Sequence, residues 1–235
     1  MPYCSLYPLS SIQNFFHIQT MIFQTIYLWS RYLCSFLLLP IVIPIGRHLR
    51  KQLVRLPEAE GARQGVRGNA SSTLTLLTLG ESPVAGVGLD SQAQNLTPIL
   101  ADLLHQKTTK QITWHILAKS GLRLSQSLPL FESQLPNHVD ILFVNIGAND
   151  CKDGTAISTW LKTWDHVLST LRIRYPSALF ICSGIPPFLY FPALPWPVQF
   201  FLGCRSDIMN HLLSKKIQSW EHCLFLPLQN TTNPA

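Results

Sequence analysis

The chain has 235 residues, 47% hydrophobic and 13% charged, which suits one packed domain of catalytic size and excludes a disordered or collagen-like chain. Its 18 Lys and Arg against 12 Asp and Glu give a formal charge of +6, but no acidic residue precedes Glu58, whereas Arg31, Arg47, Arg50, Lys51 and Arg55 all do. The rest carries 13 basic and 12 acidic residues, too balanced for a phosphate-tracking surface, so no nucleic-acid partner is expected.

Residues 1–20 show no clear pattern and are read as an uncertain N-terminal extension, with Met21 an alternative start. Residues 21–55 form a hydrophobic helical segment with a basic flank. Its uncharged part, Tyr32 to Gly46, is about 15 residues, or roughly 22 Å as a helix. That is short of the roughly 30 Å hydrocarbon core, and Pro40 and Pro44 interrupt it. A crossing therefore needs the residues from about Thr20, with Arg31 snorkelling, and the Arg47–Arg55 cluster then favours a cytoplasmic body. The expectation is a membrane-associated chain; a segment packed into its own core is the alternative. Residues 56–72, rich in Gly, charge and small polar side chains, read as a linker, and the domain proper spans 73–235.

Short β-prone runs follow at Leu74–Leu79, Ile112–Leu117, Val139–Ile146, Ala178–Ser183 and Cys223–Leu226. Helical stretches separate them at about Thr97–Gln106, where Thr97 before Pro98 reads as a cap, at Thr155–Tyr175 and at Ser206–Trp220. Apolar strands alternating with amphipathic helices predict an α/β fold with a parallel sheet covered on both faces. Six single cysteines, Cys4, Cys34, Cys151, Cys182, Cys204 and Cys223, form no metal-ligand cluster, and Cys182 in an apolar run reads as a small buried hydrophobe. No metal or cofactor is expected.

In such sheets the ligand site lies at the carboxyl ends of the strands. There the sequence places Gly80-Glu-Ser-Pro, Lys119-Ser-Gly121, Gly147-Ala-Asn-Asp and Gly184-Ile-Pro-Pro. Ser82 is the candidate nucleophile, with its own amide, the Gly121 amide and the Asn149 side chain as candidate oxyanion donors. Taken singly, each also reads as a strand end, turn or cap. Competing motifs fail, since position 91 is Ser rather than the third Gly of a dinucleotide loop, and Val84 stands where a nucleophile elbow needs Gly.

In this order, Gly80-Glu-Ser, Gly121 and Gly147-Ala-Asn-Asp resemble the first three blocks of the SGNH (GDSL-like) hydrolase family, from roughly Thr73 to the end of the chain. The following Val-Ala-Gly-Val-Gly and the Phe191-Pro-Ala-Leu-Pro loop look like a bacterial Gly-Glu-Ser subset. The resemblance implies a flavodoxin-like three-layer sandwich around a five-stranded parallel sheet, and serine-dependent hydrolysis of small-molecule esters. It also implies an Asp-x-x-His block after the fifth strand, as base and orienting carboxylate. No His follows His222 here, and such a block with its closing helix needs roughly 25 to 40 more residues.

Asp102-Leu-Leu-His105 matches the string but lies on the helix after the first strand. Asp207 and His211, four apart on a later helix, lie nearer the correct edge. The expected molecule is thus an esterase-type domain lacking its last loop and helix, inactive or weakly active. The alternative is a non-catalytic, membrane-tethered binding or remnant protein. The aromatic stretch 188–202 borders the same edge and reads equally as the lining of an acyl pocket or as a surface packed against the absent closing helix or the N-terminal hydrophobic segment.

Overall fold

The structure, a computed structural model, describes residues 9–52 and 54–228, with side chains from residue 19 onward. The C-terminal segment 229–235 and residues 1–8 of the uncertain extension thus lie outside the described residues, while residues 9–20 belong to a helix. The chain opens with a long apolar helix, α1 (Leu9–Ser35), continued by α2 (Leu39–Gln52). Between them residues 36–38 make one tight 3-10 turn, in which the Leu39 N–H bonds Phe36 O. Pro40 has no N–H with which to complete an α-helical bond to that carbonyl.

The body follows as β1 (Gln64–Arg67), β2 (Thr73–Gly80), α3 (Ser82–Ala85), α4 (Leu96–Thr108), β3 (Gln111–Ala118), α5 (Leu124–Phe131), β4 (Ile141–Asn145), α6 (Ala148–Asp153), α7 (Ile157–Arg174), β5 (Leu179–Ser183), α8 (Trp196–Gln218) and β6 (Cys223–Leu226). The strands form one sheet in the order β1-β3-β2-β4-β5-β6. Five are parallel, as the apolar runs predict, and β1 adds an antiparallel edge beside β3. The expected five-stranded sheet is thus six-stranded, and the stretch 56–72 is part of the domain rather than a linker. β1 escapes a hydrophobic reading because Gln64-Gly-Val-Arg is an edge strand. Arg67 holds it by pairing with Asp102 at 2.6 Å and lying over the Trp114 ring.

β2 runs through the centre of the sheet, so its second half is buried on both faces. One face carries Leu77, Leu79, Leu142, Val144 and Phe180 against α5, α7 and α8, with Trp160 and Trp164 fully buried. The other carries Leu76, Ile112, Trp114 and Ile116 against α4. On that second face Leu224 and Leu226 of β6 are about half exposed.

Two helix starts differ from expectation. Asn95, not Thr97, caps α4 by accepting the Leu96 N–H, and Thr97 instead bonds Thr78 Oγ1 at 2.7 Å in the core. α8 begins at Trp196, ten residues early, because Pro197 sits in the first turn, where no intrahelical N–H is needed. Residues 196–202 of the aromatic stretch are therefore helical.

The N-terminal helix does not stand apart from the body. α1 lies along α8, with Leu28 and Tyr32 buried, Arg31 paired with Asp207 at 3.3 Å, and Arg205 donating to the Tyr32 hydroxyl. At the far end Arg50 of α2 pairs with Asp153 of α6 at 2.8 Å.

Candidate active site

β2, β3 and β4 end side by side, with Gly80 in register with Ala118 on one side and Asn145 on the other. The chain after β2 must turn sharply into α3. A Cβ at Gly80 would come within 2.2 Å of Val84 Cγ2, so only glycine admits this close return. The turn presents Ser82, half-buried, at the first position of α3. Its Oγ lies 3.2 Å from Ser120 Oγ in the turn after β3.

Next to Ser120, Gly121 has φ +77 and no atom within 4 Å of where a Cβ would stand. This left-handed turn suits glycine and leaves the space on its Cα open. Among the described residues neither the Ser82 nor the Gly121 N–H has a hydrogen-bond partner. A hydroxyl beside two open backbone donors is an arrangement able to attack a carbonyl carbon and hold the resulting oxyanion.

Asn149, the third candidate donor, opens α6 and is buried. Its Nδ2 donates to the Glu81 carboxylate and to Leu122 O at 3.0 Å, so both amide hydrogens are engaged in this structure. Glu81, next to Ser82, organises this corner. It is only 3% exposed and accepts the N–H groups of Gly147, Ala148 and Asn149 at 3.1, 2.8 and 3.1 Å. Burial pushes its carboxyl pKa up, against the opposing pull of those three N–H groups and of Lys152. Asp150, likewise buried and raised by desolvation, accepts the Leu124 N–H at 2.9 Å and the Thr155 hydroxyl at 3.1 Å, tying α6 to the start of α5.

Sequence reasoning missed the support behind the Ser120–Gly121 turn. Glu58 accepts the Ser120 N–H at 2.5 Å and pairs with Arg63 at 2.5 Å, and Arg63 in turn donates to Ala118 O at 2.6 Å. The one available signal was an opposite-charge pair five residues apart in an otherwise Gly-rich stretch.

None of the described histidines bonds Ser82. His105 bonds Lys110 O, and Asp102 pairs with Arg67, so the Asp-x-x-His string is dispersed. His138 pairs with Asp140. Asp207 and His211 both face α1, the first on Arg31 and the second 2.8 Å from Thr25 Oγ1. Cys182 is fully buried, with its thiol pKa raised by desolvation and by Cys223, as a packing residue would be.

Residues 78–234 match the model of the GDSL-like Lipase/Acylhydrolase family. No curated protein sequence matches the chain. Among solved structures it is similar to an extracellular lipase from Streptomyces rimosus, at TM-score 0.51 and 18% identity over 66% of this chain and 80% of that one. It is also similar to a phospholipase A1 from Streptomyces albidoflavus NA297, at TM-score 0.50 and 22% identity over 64% and 78%. At these identities the structural likeness speaks for the fold. The family rests on the sequence match, which spans the domain from β2 through β6 and takes in all three motif-bearing turns: the chain belongs to the GDSL-like lipase/acylhydrolase (SGNH hydrolase) family.

Proposed function

We propose that the domain is a serine ester hydrolase in which Ser82 is the nucleophile and the Ser82 and Gly121 amides form the oxyanion hole. The observation that carries this reading is the Ser82 hydroxyl standing beside two unpartnered backbone N–H groups at the edge where the family's motifs meet. Ser82 Oγ attacks the ester carbonyl carbon as its hydroxyl proton passes to water, the carbonyl oxygen takes the negative charge, and the two amides stabilise it. Collapse expels the alcohol, which takes up a proton, and water then releases the acid from the acyl-serine. Asn149 joins as a third donor once its amide releases Leu122 O.

A serine hydroxyl needs a base for efficient attack, and among the described residues its Oγ partner is another hydroxyl, that of Ser120. No His follows His222. The reading therefore gives these 235 residues weak turnover, on the order of 10³ to 10⁴ above water and about 10⁶ below a site with its base in place. That same partner favours a second reading, a membrane-tethered binding protein that keeps the fold without turnover. Association with a membrane through the N-terminal apolar helix, on the cytoplasmic side, belongs to both.

An assay with a short-chain aryl ester separates the two. Slow hydrolysis above buffer that Ser82→Ala removes supports the enzyme, whereas ligand binding with no Ser82-dependent hydrolysis supports the binding protein.

A further inference from the structure

The N-terminal helix is apolar on two sides, and the two sides have different partners. Residues Gln19–Gln52 are long and apolar enough to cross a membrane, yet of the 18-residue stretch within them that meets that test only 22% is buried. The inner side is committed to the body. Leu28, Tyr32, Ser35 and Val42 are buried, Phe36 meets Phe201 edge-on at 5.8 Å, and Thr25 bonds both His211 and Lys215 of α8. A helix crossing the bilayer would carry Asp207, His211 and Lys215 of α8 into hydrocarbon with it, or would surrender these contacts.

The outer side presents Phe23, Ile26, Leu33, Leu37 and Ile41, 50% to 83% exposed, at spacings of three to seven residues along one stripe. Arg47, Arg50, Lys51 and Arg55, all exposed, follow at its C-terminal end. That end leads within a few residues to Glu58, which touches the Ser120 turn beside Ser82. Near the same edge of the sheet, in and after the loop that follows β5, Tyr190, Phe191 and Trp196 also stand exposed.

Resting on the membrane association proposed above, we infer that α1 and α2 lie in the plane of an anionic bilayer surface and do not span it. One face of the helix stays on α8. The opposite stripe sits at the headgroup–acyl boundary and the basic end binds anionic headgroups, which is the arrangement of an interfacial helix.

The test uses the full chain in a Cys4→Ser background, labelled with an environment-sensitive fluorophore at the exposed Cys34 or, with Cys34→Ser, at Phe23→Cys or Ile41→Cys. It is mixed with vesicles of phosphatidylglycerol and phosphatidylcholine carrying depth-graded quenchers. Equal shallow depths at the three positions are expected, although residues 23 and 41 are about 27 Å apart along the helix. Replacing the four basic residues with Gln should weaken vesicle binding by about tenfold or more. Depths that differ along the helix, with Cys34 near the bilayer centre, overturn the in-plane arrangement while leaving membrane association intact. Absence of vesicle binding overturns both, and equal binding to pure phosphatidylcholine overturns the anionic-lipid component.

Discussion

The Glu58 carboxylate lies 2.5 Å from the Ser120 amide nitrogen, so a residue 62 positions earlier in the chain fixes the turn that carries Gly121. With Arg63 reaching Ala118 O, the pair clamps both sides of that turn. Glu58→Ala removes a charge-assisted bond and leaves Arg63 without its carboxylate. It should cost about 1–2 kcal/mol in urea unfolding. It should also reduce Ser82-dependent ester hydrolysis through kcat more than through KM, because the Gly121 donor is needed most in the transition state. Unchanged kinetics would separate Glu58 from the site.

Glu81 is the acceptor for three backbone N–H groups and the Asn149 amide. Glu81→Ala leaves these donors unpaired in a buried corner and should destabilise the fold by about 3 kcal/mol or more. Urea unfolding reads the loss, and Glu81→Gln, which keeps one acceptor oxygen, should recover part of it.

Gly80→Ala drives a Cβ to within 2.2 Å of Val84 Cγ2 and should cost about 2 kcal/mol through overpacking. Adding Val84→Ala removes the nearest methyl but keeps the Cβ that lies 2.5 Å from the new one, so the double variant should recover only part of the clash and lose somewhat less than the two single losses added. A double-mutant cycle of thermal unfolding measures that coupling.

His211 is held below the ordinary histidine pKa of 6.5, first by burial and then by the Lys215 charge, and it faces Thr25 of α1 with Asp207 and Arg31 one turn away. A folded pKa below the unfolded one means that the unfolded chain binds more protons in that window. The stability this group contributes is therefore full above about pH 6.5 and lost as pH falls towards the folded pKa. The Tm should fall between pH 7 and pH 5, and His211→Gln should show a smaller fall than the wild-type chain.

Much of this architecture is legible in the sequence, because the five parallel strands are apolar runs and those at Gly80 and Ser183 end at or beside glycine. Ser82, Gly121 and Asn149 are candidates by the same logic, since each follows a strand and topology brings strand ends together. Elements held by distant partners were not legible. β1 exists through pairing with β3, and Glu58 and Arg63 matter because of Ser120 and Ala118, contacts that no local pattern encodes. The prolines at 195 and 197 read as loop but open α8. The apolar character of residues 19–52 was visible, whereas their docking on α8 was not, so Asp207 and His211 read as a possible base when they are the seat of the N-terminal helix.

The most direct measurement supplies a base from outside the chain. Hydrolysis of a short-chain aryl ester is followed with increasing imidazole for the full chain and for Ser82→Ala, and a phosphonate-treated sample is mapped by peptide mass spectrometry. The account predicts an imidazole-dependent rate above the Ser82→Ala background and an adduct on the peptide containing Ser82. Equal imidazole dependence in the two proteins, with no adduct at Ser82, would contradict it.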